Sequence, residues 1–122
     1  MKWEQWMVGE FHAKYGQCVG NKPAIREPAL RARLIQEEAR ELCDALQADD
    51  IVEVADGMAD LIYVVIGTAV SCGIDLSPIF NEVHRSNMTK DGGKDGGGKV
   101  TKGPNFSPPD IRGELGRQGW KP

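Results

Sequence analysis

The stretch PALRARLIQEEARELCDALQADDIVEVADGMADLIYVVIGTAVSCG, Pro28 to Gly73, decides the fold. Wound at about 100° per residue, its first half gathers Leu30, Leu34, Ile35, Leu42, Ala45 and Leu46 on one arc. That pattern predicts a helix from Pro28, acceptable in a first turn, to about Gln47. Asp49 and Asp50 supply an N-cap for a second long helix, Ile51 to about Ser71, which stops at Gly73. Around that second axis Ile51, Val52, Val54, Met58, Leu61, Ile62, Val64, Val65, Ile66 and Val70 cover almost every direction. Such a helix is expected to be central and buried all round.

Outward from this pair, a shorter helix is expected from about Trp3 to Tyr15, followed by a loop with Gly16, Gly20, Asn21 and Pro23. After Gly73, Ser77 and Pro78 open a further helix ending around His84 to Met88. No segment alternates with period two, so the expectation is an all-α antiparallel bundle of about four helices.

At 122 residues and 13.4 kDa the chain suits one domain with a real core and excludes a two-domain enzyme. The formal net charge of -3 hides an asymmetry. Residues 1–90 hold 14 acids and 9 bases, a net -5, whereas residues 91–122 hold 4 acids and 6 bases, a net +2, and 9 of the 15 glycines. The chain therefore reads as an acidic helical domain over 1–90 and a basic, irregular Gly/Pro-rich tail over 91–122. An acidic body offers no footprint for duplex DNA, so no nucleic-acid polymer is expected as partner.

Three cysteines, Cys18, Cys43 and Cys72, without a CxxC pair fit neither a disulfide framework nor a zinc knuckle and point to a reducing, cytoplasmic location. Glu4 and Glu10 interrupt the N-terminal apolar residues, unlike a signal peptide. Leu61 to Ile74 falls short of the ~20 residues that span a bilayer, so no membrane is expected.

The chemistry lies in the acids. From Glu37 to Asp60 nine carboxylates face a single base, Arg40. A run of this kind is ordinarily a solvated face, but Glu38 falls in the middle of the apolar arc, with Glu41 inside its edge. Carboxylates on a core-facing stripe require cations or a cleft. On the next helix Glu53, Asp56 and Asp60 stack at i, i+3, i+7 with no neighbouring Lys or Arg. All-oxygen ligands select a hard cation, Mg²⁺ with Mn²⁺ as substitute. The expected metal ligands are thus Glu38, Glu41, Glu53, Asp56 and Asp60. A di-iron bundle needs Glu-x-x-His pairs; Glu82 and His84 are two apart and no such pair occurs.

EEARE (Glu37, Glu38, Glu41), EVADGMADLIYVV (Glu53, Asp56, Asp60) and VHRSNMTK (Val83 to Lys90), in that order, resemble the MazG-like all-α nucleoside triphosphate pyrophosphohydrolases, the superfamily that includes phosphoribosyl-ATP pyrophosphohydrolase. The resemblance is strong over residues 28–90 and looser along GGKVTKGPNFSPPDI. It implies helical subunits assembled as a homodimer or homotetramer. It also implies Mg²⁺-dependent cleavage of the α–β phosphoanhydride of a nucleotide substrate, giving a monophosphate and pyrophosphate. The family's ExxD is met by Glu53 and Asp56, while Gly57 stands three before Asp60, so both registers stay open.

With Glu37, Glu38 and Glu41 as the catalytic carboxylates, Glu37 or Glu41 would accept a proton from the attacking water. Arg85, Asn87 and Lys90, with Lys99 and Lys102 from the tail, supply contacts for phosphate oxygens. Phe11 and His12 offer a stacking or hydrogen-bonding surface for a base, against simple packing of an amphipathic helix. Trp3 and Trp6 share a face suited to core or subunit packing. GKDGGGKV, Gly93 to Val100, mimics a phosphate-binding loop but has Val100 where Ser or Thr must stand and no strand before it. The readings to be separated are nucleotide-pool cleaning, phosphoribosyl-ATP hydrolysis, and a non-catalytic helical oligomer that binds nucleotide or metal.

Overall fold

The computed structural model describes residues 1–122. It is all-α, with α1 (Lys2–Lys14), α2 (Pro28–Gln47), α3 (Ile51–Cys72), α4 (Leu76–Asn87) and α5 (Ile111–Arg117) in chain order. The long pair begins and ends where the sequence places it. Asp50 caps α3 by accepting from the Glu53 amide, and Gly73 ends it in the left-handed region at φ 66°. Two compact units are present, Met1–Leu76 and Ser77–Pro122.

In the first unit α1 and α2 both pack on α3. Gly57 lies against Leu42 while Arg31 bonds Thr68, so position numbers fall on one helix as they rise on the other. The pair is an antiparallel hairpin closed by a three-residue connection, 48–50. α1 is likewise antiparallel to α3, with Gln5 bonding the Ile74 carbonyl and the Leu76 amide at one end and Phe11 meeting Tyr63 at the other. Val8, Ile66 and Val70 form the small core, with Leu76 packed on it.

The loop before α2 satisfies the carbonyls that the end of α3 leaves free. The Gly20 amide donates to Val70, the Ala24 amide to Cys72, and Arg26 to Ser71. The Ser71 hydroxyl in turn donates to the Cys18 carbonyl at 3.1 Å. All three cysteines are free thiols.

The second unit joins α4 and α5 through residues 88–110. Lys94 and Val100 form an isolated antiparallel bridge, and the Asp95 carboxylate accepts from the Gly97 and Lys99 amides. The segment that mimics a phosphate loop is therefore a turn closed on its own aspartate. Asp110 caps α5 through the Gly113 amide.

The all-α architecture is the one expected, and to the about four helices foreseen the structure adds a short fifth: once Pro108 and Pro109 are passed, the Asp110 cap starts it within the tail. One expectation needs correction. α3 is not buried all round within the single chain. Its buried residues are Gly57 and, from Ile66 onward, all but Thr68; Ile51, Val52, Met58, Ile62 and Val65 are exposed. Only α1 and α2 are available to cover α3 in this unit, and their contacts leave its N-terminal half open on one side.

Candidate active site

The site is built where α2 and α3 approach most closely. A Cβ at Gly57 would stand 3.2 Å from Leu42 Cα, so the missing side chain lets the two backbones meet. Counting about 100° per residue from that contact, Glu38 stands about 40° to one side of Leu42. On α3, Glu53 and Asp60 stand about 40° and 60° to the same rotational side of Gly57. In antiparallel helices those offsets point to one edge of the interface. Glu41 and Asp56 lie further round the same way, at about 100°. A Glu at position 57 would point into Leu42, which is why that place holds glycine.

Electrostatics marks the same meeting point. The Glu38 carboxyl is raised above its usual pKa by loss of solvent, then by the charges of Glu41 and Asp60, by a hydrogen bond with Glu41 and by the charge of Glu37. Its Oε2 is buried with no hydrogen-bond partner. An orphaned, buried carboxylate oxygen among three other acids is costly unless a proton or a cation covers it. This donor set fits a hard divalent cation bound through oxygen. No three His, Cys, Asp or Glu side chains are gathered at metal-ligand spacing, so the fit rests on Glu38 and its surroundings.

The remaining acids have distinct settings. Glu37 leans towards Arg33 at 3.9 Å on the outer side of α2. Glu41, Asp56 and Asp60 are exposed. Glu53 is exposed in the first turn of α3, where a negative charge also meets the helix dipole.

Arg85, Asn87, Lys90, Lys99 and Lys102 all belong to the second unit. Arg85 pairs with Glu82 and donates to Ser107 Oγ at 3.1 Å and the Pro108 carbonyl at 3.0 Å, so its donors tie residues 107–108 to α4. Lys102 sits over the Phe106 ring, 4.9 Å from its centre, leaving the ammonium free to meet other partners. Lys99 is exposed and Lys90 half-buried.

A family model described as phosphoribosyl-ATP pyrophosphohydrolase matches residues 8–87, from the first helix to the end of the fourth. The chain belongs to that family. No curated protein matches it. The resemblance read in EEARE and EVADGMAD is thereby borne out, and the chain is a pyrophosphohydrolase acting on a phosphoanhydride. The pyrophosphohydrolase family is generally Mg²⁺-dependent, in keeping with the all-oxygen surroundings of Glu38. No single helix of the chain is long and apolar enough to cross a membrane.

Arg31 is a feature that the sequence reading missed, and it is buried beside His12, one of the two residues the sequence offered for a base. Both are buried, at 4% and 2% exposure, in the same unit as the acids. Arg31 Nε donates to Thr68 Oγ1 at 3.1 Å and Nη2 to the Val64 carbonyl at 2.8 Å. Burial lowers the guanidinium's pKa, opposed by the charge of Glu27. The signal was present: Arg31 precedes Leu34, Ile35, Glu38 and Leu42 at spacings that put it inside the apolar arc, where a cation is as unexpected as an acid.

Proposed function

We propose that this pyrophosphohydrolase hydrolyses the α–β phosphoanhydride of a nucleoside triphosphate with Mg²⁺, releasing pyrophosphate and a monophosphate. The observation that carries the reading is Glu38, whose buried, unpartnered oxygen stands amid Glu37, Glu41 and Asp60. Phosphoribosyl-ATP is the favoured substrate, supported by the family match over residues 8–87. Pool cleaning of (deoxy)nucleoside triphosphates is the second reading, supported by the EEARE pattern that resembles the MazG-like enzymes.

Glu38, Glu41 and Asp60 would hold the cation, with Asp56 and Glu53 next to them along α3. A cation held there would supply screening of phosphate charge, polarisation of the attacked phosphorus and easier ionisation of the attacking water. Glu41, or Glu37 beside it, takes the proton of that water as its oxygen bonds to phosphorus and pyrophosphate leaves. Lys90, Lys99 and Lys102, with Asn87 and Arg85, are the proposed phosphate contacts of the second unit. Free thiols at Cys18, Cys43 and Cys72 suit a reducing cytoplasm. The exposed apolar residues of α3 suit assembly as a homodimer or homotetramer.

Pyrophosphate release from phosphoribosyl-ATP and a panel of NTPs and dNTPs, with and without Mg²⁺, tests the reading. Turnover is expected only with the cation, fastest on phosphoribosyl-ATP. A preference for a common dNTP selects the second reading, and no turnover on any nucleotide leaves only the non-catalytic helical oligomer.

A further inference from the structure

We propose that the cavity walled by Phe11, His12, Gln17, Arg31 and Tyr63 is a nucleobase pocket in which Arg31 donates to an acceptor atom of the ring. The cavity has a volume of about 210 Å³, enough for one flat heterocycle. This inference rests on the reading that nucleotide phosphates lie at the Glu38 acids.

Arg31 is a buried cation without an acid partner. No carboxylate stands within ion-pair distance, and its hydrogen bonds go only to a hydroxyl and a carbonyl. Nη1 has no partner within the chain. A purely structural tie to Thr68 and Val64 would be served by a neutral donor at lower desolvation cost, so the charge and the spare donor want an explanation. His12 has a similar remainder. Its Nδ1 meets the Cys18 carbonyl at 2.8 Å, an acceptor only, so the proton sits on Nδ1 and Nε2 is left without a partner.

Gly67 brings the two groups to one place. A Cβ there would stand 2.6 Å from Arg31 Nη2 and 3.1 Å from His12 Nε2, so both side chains occupy room that only glycine leaves. At the mouth, Phe11 and Tyr63 meet edge-on, with centres 5.6 Å apart and planes at 89°, and both rings stay partly open to solvent. Open aromatic faces beside a buried cation suit a π-system that carries ring acceptors. A carbonyl oxygen, as in guanine or uracil, and an unprotonated ring nitrogen, as in adenine, satisfy Arg31 by the same chemistry.

The spacing to the acids agrees. Arg31 precedes Glu38 by seven residues on the same face of α2, about 10 Å along the axis. Tyr63 follows Asp60 by one turn of α3. A nucleotide bound by its phosphates at Glu38 and Asp60 would thus extend its base, across the ribose, towards Arg31.

Equilibrium binding to the full chain with Mg²⁺ separates this pocket from the acid site. The probes are α,β-methylene-ATP, α,β-methylene-GTP and inorganic tripolyphosphate, which has no base. The wild-type chain should bind at least one nucleotide about tenfold or more tighter than tripolyphosphate. Arg31→Met should bring that ratio to within about threefold while leaving tripolyphosphate affinity unchanged. If Arg31→Met loses its melting transition, Phe11→Ala and Tyr63→Ala, which truncate partly exposed rings, must lower the same ratio. An unchanged ratio in the variants, an equal loss for all three probes, or a wild-type ratio near one overturns the pocket. The ATP and GTP arms show which acceptor is used. Absence of hydrolysis on every nucleotide, with the ratio intact, would defeat the enzymatic reading and leave the pocket standing.

Discussion

Gly57 on α3 and Leu42 on α2 are in backbone contact: a Cβ built at 57 would lie 3.2 Å from Leu42 Cα and 3.3 Å from its Cβ. This contact sets how far apart Glu38 and Asp60 stand, since each is one helical turn along from it. Gly57→Leu should overpack the interface and cost about 1–3 kcal/mol in a denaturant titration. Turnover should fall further than the folded fraction does, because the helices separate at the acids. Full activity per folded molecule would show that this approach does not position the site.

The raised pKa of Glu38 makes stability depend on pH with a definite sign. The folded chain holds this proton more tightly than the unfolded one, so the contribution is complete below the unfolded pKa and is lost as pH rises through the folded value. Without metal, the protein should therefore lose stability as pH climbs through and just above the usual carboxylate range. Glu38→Gln should flatten that part of the profile and melt higher than wild type at neutral pH. Mg²⁺ should reverse the order. At about 100 times its Kd it adds about 2.7 kcal/mol to the wild-type chain and little to Glu38→Gln. Melting curves across pH, with and without Mg²⁺, read both effects.

Much of this was legible in the sequence because its signals are local. Pro28, Asp50 and Gly73 fix the ends of α2 and α3 through their own backbone chemistry, and Glu38 betrays itself by its place in an apolar arc. The rest depends on which residues meet across helices. Gly57 looked like a gap in an acidic motif, and only the Leu42 contact explains it. Arg31 shares the apolar arc with Glu38, but a wheel names the face a residue shares and not the hydroxyl and carbonyl that meet it there. The exposed half of α3 could not be foreseen either: an all-round apolar helix promises burial but does not say whether the same chain supplies the cover.

The two registers of the α3 acids make different kinetic predictions. Asp60 lies close enough to raise the Glu38 pKa, whereas neither Asp56 nor Glu53 contributes to that shift. Asp60→Asn should therefore lower kcat/KM by about 100-fold or more, a loss of about 2.7 kcal/mol or more in transition-state stabilisation. Glu53→Gln should cost less, much of it through the first turn of α3. A larger loss for Asp56→Asn than for Asp60→Asn would select the Glu53 and Asp56 register.

The capping of α3 bears on the site because its first two turns carry Glu53 and Asp56. Asp50→Ala removes the acceptor of the Glu53 amide and should cost about 1 kcal/mol of stability. Asp50→Asn keeps an acceptor and should recover most of it. Equal melting of the two variants would mean that the cap bond contributes nothing measurable.

On α3, Ile51, Met58, Ile62 and Val65 follow one another at i, i+7, i+11 and i+14 and so share a stripe, and all four are exposed in the single chain. Measured from Gly57, that stripe lies on the side opposite the acids. An assembly through it would bury apolar surface without covering Glu38 and its neighbouring acids in the same chain. A stable interface buries roughly 800 Å² per partner, more than one stripe of four residues supplies, so the contact must extend beyond the stripe. Ile62→Glu should shift the mass measured by light scattering from oligomer to single chain, because it sets like charges against each other across a symmetric contact. The same variant should leave Mg²⁺ binding at Glu38 intact if the acid site is complete within one chain. A wild-type protein that runs as a monomer, or an Ile62→Glu variant that keeps its oligomeric mass, would assign the stripe another role.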